Sequence, residues 1–264
     1  MALNLSVSLA CKNNEATIGR TLDSVRGFAQ EIVAADSGST DGTLALLEDA
    51  GAKVVHTPWL GYVKTKQLAL DACTSAWVLA LDSDESLNQE LRDSIKRVIE
   101  SNEPGVNAGT LNRVVYFRDK PLRHVWQPEW RRRLILRGTH QFGGLDPHDK
   151  LDGLPGISVK GVKLSGELRH DSITTFADFF AKQASHARRM ALSMQAEGRR
   201  GSYIRLVGSP VGSMFKQLVL KRGFLDGYPG WLAAASTSIG TMMKHAILIE
   251  LDRTRAPDDA GGDL

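Results

Sequence analysis

The stretch W-V-L-A-L-D-S-D-E, residues 77–85, is an apolar run that stops on two aspartates one residue apart. Short apolar runs bounded by polar residues read as buried strands, and apolar side chains on both faces are what a parallel sheet covered by helices requires. Asp82 and Asp84 then fall at the C-terminal end of the strand, the edge where open α/β sheets bind ligands. Two carboxylates that close repel each other unless a cation or hydrogen-bond donors lie between them. Hard divalent cations take oxygen ligands, commonly one or two carboxylates plus the phosphates of a substrate, so D-x-D points to a metal-diphosphate site. The same aspartates also read as caps of a helix beginning within Ser86–Glu90, and the motif alone does not choose.

Upstream, one pattern repeats. Leu5–Cys11 reads as a strand, and Asn13–Gly27 as a helix carrying Ala16, Ile18, Leu22 and Val25 at helical spacing. Glu31–Asp36 reads as a second strand ending on an aspartate, and the turn S-G-S-T-D-G-T leads to a helix over Leu44–Ala50. Ala52–His56 is a short third strand and Gly61–Ala72 a helix. Strands alternating with helices predict a parallel, doubly wound α/β sheet. Right-handed crossovers put every strand's C-terminal end on one edge, so the Cys11–Asn14 loop, the Asp36 turn and Asp82/Asp84 are expected to line one crevice. The turn at Ser37–Thr43 matches neither the Walker loop nor the Rossmann fingerprint, which weakens ATP hydrolysis and dinucleotide chemistry as readings.

Downstream the alternation is lost. Gly109–Phe117 and Arg131–Leu136 read as strands, Gly138–Lys150 as a loop rich in Gly, His and Asp, and Ile157–Leu164 as a further strand. Ser172–Arg200 reads as a long amphipathic helix with Phe176, Phe179, Phe180, Ala184, Ala187, Ala191 and Met194 on or near one stripe. From Ser202 to Leu251 apolar and aromatic residues recur with Arg205, Lys216, Lys221, Arg222, Lys244 and Arg253. No window of about eighteen residues there is free of charge, which argues against a spanning helix, whereas a basic helix with Trp, Tyr and Phe can lie in a membrane interface. The alternative is a helical subdomain packed on the core. The expected organisation is one catalytic domain over 1–200, with a nucleotide half at 1–104 and an acceptor half at 105–200, then an amphipathic extension at 201–255 and a disordered tail at 256–264.

Charge divides along the same line. Residues 1–104 hold 9 Lys+Arg against 15 Asp+Glu, net −6, and the remainder holds 24 against 15, net +9. The acidic half suits a metal and the basic half an anion, whether nucleic acid, anionic membrane or phosphorylated acceptor. Cys11 and Cys73 lie in apolar segments without metal-ligand spacing and read as reduced thiols, which fits the cytoplasm. The N-terminal M-A-L-N-L-S-V-S-L-A-C lacks a basic n-region and reads as a first strand rather than a signal.

C-K-N-N-E at 11–15, V-A-A-D-S-G-S-T-D-G-T at 33–43 and L-D-S-D-E at 81–85, in that order and spacing, resemble the family 2 glycosyltransferases of GT-A fold. G-Y-V-K-T-K-Q-L-A-L at 61–70, P-H-D-K-L at 147–151 and R-G-F-L-D-G-Y-P-G at 222–230 are most similar to the lipopolysaccharide core biosynthesis glucosyltransferases. The resemblance implies a GT-A, Rossmann-like, mainly parallel sheet flanked by helices, followed by a C-terminal amphipathic helical extension. It also implies inverting transfer of a sugar, glucose, from uridine diphosphate glucose to a lipopolysaccharide core or other anionic lipid-linked saccharide. That places the chain peripherally on the inner face of the cytoplasmic membrane, with an anionic membrane surface and no nucleic acid as partner. By the same resemblance Ala10, Cys11, Lys12 and Asp36 hold the nucleoside, Lys66 lies near the nucleotide, and Asp82, Ser83 and Asp84 hold ribose and diphosphate. Asp82 and Asp84 are the expected ligands of the metal, Mg²⁺ or Mn²⁺, and Asp149 with His148 supplies the general base. The chain departs from the family at Ser37, where a second aspartate is frequent, and at Asp149, where glutamate is common. D-S-D-E-S also fits the D-x-D-x-[TS] nucleophile motif of haloacid dehalogenase-like phosphohydrolases, and residue types alone allow a non-catalytic adaptor of the same fold at a membrane surface.

Overall fold

The computed structural model describes residues 2–145, 148–173 and 175–255. The chain forms two compact units, Met1–Val114 with Glu129–Asp171, and Val115–Pro128 with Ser172–Leu264.

In the first unit the chain runs β1 (Leu3–Cys11), α1 (Glu15–Val25), β2 (Ala29–Asp36), α2 (Thr43–Asp49), β3 (Lys53–His56), α3 (Tyr62–Asp71) and β4 (Trp77–Asp82). This is the predicted alternation, and β1 pairs in parallel with both β2 and β4, as β2 does with β3. The pattern of β4 shows why. Trp77, Leu79 and Leu81 enter one apolar cluster with Val7, Leu9, Ile18 and Leu22, while Val78 and Ala80 enter another with Val33, Leu70 and Ile135. Both faces of the strand are covered, so neither face selects polar residues.

After β4 come β5 (Glu85–Leu87) and α4 (Gln89–Ser101). The helix is capped by Asn88, whose Oδ1 accepts from Leu91 N at 2.9 Å, so the capping alternative for Asp82 and Asp84 is set aside. β6 (Val106–Phe117) leads through β7 (Lys120–Pro121) in the second unit to β8 (Trp130–Leu136), then β9 (His140–Leu145), β10 (His148–Gly153) and β11 (Lys160–Ile173). The large sheet has the order β3-β2-β1-β4-β8-β6-β11-β5, and from β8 onward the recorded pairings are antiparallel. The stretch expected as a loop, 138–150, is instead part of the antiparallel hairpin β9–β10. Its composition hid the strands because apolar residues are sparse: Phe142 and Leu151 are paired in register and both are buried.

The second unit is built from helices. α5 (Phe176–Ala196) packs along α7 (Tyr228–Arg255), as does α6 (Tyr203–Phe215); a π turn over Lys216–Leu220 and a 3₁₀ turn over Gly223–Asp226 join α6 to α7. Ala191, Met194 and Leu248 form one core, and Val115, Leu122, Val125, Ile173 and Ala233 another. The motif R-G-F-L-D-G-Y-P-G is an anchor here. Asp226, with a side chain 3 % exposed, accepts from the backbone N–H groups of Arg123, His124 and Val125 at 3.0, 3.0 and 2.9 Å and meets His124 Nδ1 at 2.7 Å. A Cβ on Gly230 would stand 2.1 Å from the carbonyl oxygen of Gly223, so the turn closes only on glycine. Within Tyr228–Thr254 α7 holds an eighteen-residue window of mean hydropathy 1.2 and is, by length and composition alone, long and apolar enough to cross a membrane. The expected tail, 256–264, lies outside the described residues.

Gly166 of β11 adopts φ +96°, and a Cβ there would lie 2.3 Å from Leu91 N in the first turn of α4. Backbone strain and overpacking together predict that Gly166→Ala lowers the unfolding free energy by roughly 2–4 kcal/mol, read as a reduced midpoint in urea with unchanged slope.

Candidate active site

Parallel register brings the predicted strand ends together. Cys11 lies opposite Asp36, and Ala10 opposite Asp82. The two loops beyond them are zipped to each other: Asn13 N donates to Ser39 Oγ at 2.9 Å, Thr40 N to Asn13 Oδ1 at 2.8 Å, Asn14 N to Thr43 Oγ1 at 2.7 Å and Gly42 N to Glu15 Oε2 at 3.0 Å. C-K-N-N-E and S-G-S-T-D-G-T therefore form one rim. Asp36 is 1 % exposed, and its carboxylate accepts from Gly38 N and Ser39 N, both at 3.0 Å, and from the Ser39 hydroxyl. Burial alone would raise its pKa, but these donors outweigh it and hold the carboxyl below its ordinary value. Ser37 Oγ beside it is buried with no protein partner. Lys12 is exposed on the rim. The thiols of Cys11 and Cys73 are buried and pushed up to about 12, first by desolvation, so both are inert.

Asp82 is the hub. Its Oδ1 lies 2.6 Å from Lys66 Nζ and its Oδ2 2.6 Å from an Arg133 nitrogen, with Arg113 at 3.8 Å. The same Arg133 nitrogen lies 2.7 Å from Glu85, which is fully buried, and Glu85 also takes Arg113 at 3.2 Å and the Asp82 N–H at 2.9 Å. Arg113 continues to Glu129 at 2.6 Å, which Arg131 also contacts at 2.6 Å. Burial would raise the Asp82 pKa, but Arg133 and Lys66 hold it well below the carboxylate range; burial would lower Lys66, and Asp82 more than offsets that.

Lys66 reaches further. Its ammonium is also 2.9 Å from Asp149 Oδ2, so a carboxylate on β10 is brought to the strand edge 67 residues earlier in the chain through one buried lysine. The side chains of Lys66 and Asp149 are 10 % and 11 % exposed, and the lysine lies over the ring of Phe142 at 5.8 Å. The side chain of His148, and Asp146 with Pro147, fall outside the described residues.

Asp84 has a different partner. Its Oδ2 lies 3.3 Å from His170 Nε2 on β11, which sits opposite Glu85 in register; His170 Nδ1 is buried without a protein partner. Burial raises Asp84 and His170 lowers it, with the net shift downward. Ser83 between the aspartates is buried and offers its carbonyl to Thr21 Oγ1 at 3.1 Å. A carboxylate oxygen beside an imidazole nitrogen is a donor pair that fits a divalent cation sharing its remaining positions with phosphate and water. No group of three or more metal-ligating side chains occurs among the described residues.

Sequence reasoning brought forward Ala10–Lys12, Asp36, Lys66, Asp82–Asp84 and Asp149, and missed Glu85, Arg113, Arg133 and His170. Arg133 stood in R-R-R-L-I-L and His170 in a strand nearly ninety residues from Asp84, where no local spacing marks them. Arg113, directly before V-V-Y-F on β6, carried the one available signal, since a charge next to buried apolar residues requires a partner.

Residues 6–151, more than half of the chain, match the family described as Glycosyl transferase family 2. The chain belongs to that family: it is a glycosyltransferase of GT-A fold. An uncharacterized glycosyltransferase of Rickettsia bellii is 28 % identical over 267 residues, covering 98 % of this chain and 91 % of that one. The lipopolysaccharide core biosynthesis glycosyltransferase LpsC of Rhizobium meliloti is 28 % identical over 264 residues, covering 93 % and 94 %. Among solved structures, glucosyl-3-phosphoglycerate synthase of Mycobacterium tuberculosis, in complex with Mn²⁺, uridine diphosphate and glucosyl-3-phosphoglycerate, is 27 % identical over 42 % of this chain and 44 % of that one, with TM-score 0.33. The family match removes the phosphohydrolase reading, and Asp82, its nucleophile, is bound on both oxygens by cations.

Removing Glu85 would leave Arg133 and Arg113 buried against fewer carboxylates. Glu85→Ala is expected to cost about 3–5 kcal/mol of stability in chemical denaturation, the usual range for breaking a buried ion pair from one side; a loss under about 1 kcal/mol would show that water reaches the network.

Proposed function

We propose that the chain transfers glucose, with inversion, from uridine diphosphate glucose to an anionic lipid-linked saccharide of lipopolysaccharide core type. In this reading it works peripherally on the inner face of the cytoplasmic membrane. The observation that carries the proposal is Lys66, which joins a carboxylate of the donor edge, Asp82, to an acidic residue of the hairpin, Asp149, within one buried cluster. Similarity to LpsC, whose name gives lipopolysaccharide core biosynthesis, supports the acceptor class.

The nucleoside would lie against the backbone of Ala10–Lys12 and the Asp36 turn, with the unpartnered Ser37 hydroxyl available to the base. The diphosphate would then fall beside Asp82–Asp84. Asp82, Asp84, Glu85 and Asp149 are four carboxylates set against the three cations Lys66, Arg113 and Arg133, so the cluster by itself does not attract a diphosphate. Asp84 and His170 would hold the divalent cation that the balance calls for, which supplies charge neutralisation to the leaving nucleoside diphosphate. Asp82, tied by Arg133 and Lys66, keeps its orientation as the ligand arrives.

Asp149 is the proposed base, with His148 beside it in sequence. It accepts the proton of the acceptor hydroxyl as that oxygen attacks the sugar from the face opposite the diphosphate. Without ligand its Oδ2 is held by Lys66 at 2.9 Å; as phosphate oxygens draw on the same ammonium, Asp149 is released toward the acceptor.

Release of uridine diphosphate from a panel of uridine diphosphate sugars, with Mg²⁺ or Mn²⁺ and with chelator, tests the reaction class; no release with any donor would favour the non-catalytic adaptor. Asp84→Asn and His170→Ala should each weaken metal-dependent nucleotide binding by roughly 10–100-fold while the fold persists. Asp149→Asn should lower turnover by about 10²–10⁴-fold with donor affinity nearly unchanged, and near-wild-type turnover in that variant would move the base elsewhere.

A further inference from the structure

We infer that α6 and the turn that follows it form an in-plane docking surface for an anionic bilayer, with the apolar stripe of α6 inserted among the lipid chains and α7 remaining outside as its support. The inference rests on the reading of a lipid-linked acceptor and gives it a surface. Ile204, Val207, Val211 and Phe215 follow one another at helical spacing and are 85, 67, 66 and 55 % exposed, while Pro210, on the far side of the same helix, is buried with its carbonyl accepting from Ser238 Oγ of α7 at 3.0 Å. The helix thus turns Ile204, Val207, Val211 and Phe215 outward and Pro210 inward. Beyond it the stripe continues through Val219 and Leu220, both exposed. Contiguous apolar patches of this kind on a folded surface mark an interaction site.

Charge selects the occupant. From residue 199 to 225 the chain carries Arg199, Arg200, Arg205, Lys216, Lys221 and Arg222 and no aspartate or glutamate. Arg200, Arg205, Lys216 and Arg222 are exposed. A second copy docking through the same face would oppose like charges around an apolar centre, which is unfavourable, whereas anionic headgroups neutralise a basic rim while acyl chains receive the stripe. Tyr203 and Trp231, exposed at 60 and 52 %, have the amphipathic rings that favour the headgroup level. α7 is tied to its neighbours along one side, where Ala233, Ser236, His245 and Leu248 are buried, and Asp252 accepts from Gly201 N just before α6.

The test uses the full chain with vesicles of phosphatidylcholine alone and with about one-third phosphatidylglycerol, at about 0.1 M and 1 M salt, where the screening length falls from about 10 to 3 Å. The wild type is expected to co-sediment with the anionic vesicles at low salt and to be released at high salt. Val207→Glu/Val211→Glu should lower partitioning at least about tenfold with an unchanged melting curve, and Arg205→Glu/Lys216→Glu should lower it on anionic vesicles and flatten the salt dependence. Vesicle binding by the Val207→Glu/Val211→Glu chain equal to wild type overturns the inference. So does a wild-type dimer that this substitution splits with no change on vesicles, or wild type that stays in membranes through alkaline carbonate extraction as a spanning protein would. Uridine diphosphate binding with Mn²⁺ is measured on the same samples: its retention in the Val207→Glu/Val211→Glu chain, and vesicle binding retained in Asp84→Asn, separate failure of the surface from failure of the transfer reading.

Discussion

Four carboxylates gather at the end of β4 and beside it, and burial makes each costly as an isolated charge. Arg133 lies between Asp82 and Glu85, at 2.6 and 2.7 Å, and its own side chain is 7 % exposed. Desolvation of such a guanidinium is offset only if its acceptors stay in place, and theirs only if it does. The backbone contributes as well, because Glu85 takes the Asp82 N–H and so sets the turn on which Asp84 is displayed. Through Lys66 the same closure extends to Asp149, and through the register of β11 with β5 to His170. The strand edge, the hairpin and the last strand of the first unit are therefore joined by charge balance as well as by the apolar clusters that Phe142, Leu151, Leu164 and Leu168 enter with β4.

That arrangement has a chemical consequence. A lysine shared by two acids responds when a third anion arrives, since a diphosphate competes for the same ammonium with two acceptor groups at once. In the transfer proposed above, the base is needed free only when donor is bound, because an unoccupied site with a free base can activate water instead. Under that proposal Lys66 would link the two conditions through one side chain.

The second unit follows a different logic. Its interior is made from Ala191, Met194 and Leu248 in one core and Val115, Leu122, Val125, Ile173 and Ala233 in another, while Ile204, Val207, Val211 and Phe215 on α6 are turned outward. Water-facing helices normally reverse that assignment. Asp226 stabilises the turn beneath them by accepting three backbone N–H groups, so the outward display rests on a rigid base.

Local pattern was enough for the alternating half of the fold. The strand–helix order from β1 to β4, the shared edge at Ala10, Cys11, Asp36 and Asp82, and the resemblance carried by three spaced motifs all follow from short-range periodicity and turn chemistry, which a sequence displays directly. Tertiary structure alone decided the rest. Phe142 and Leu151 were too few to announce the β9–β10 hairpin, and Asn88 rather than an aspartate turned out to cap α4. Arg113, Arg133 and His170 joined the site from strands far along the chain, because a buried charge is specified by the partner that neutralises it and not by its neighbours in sequence.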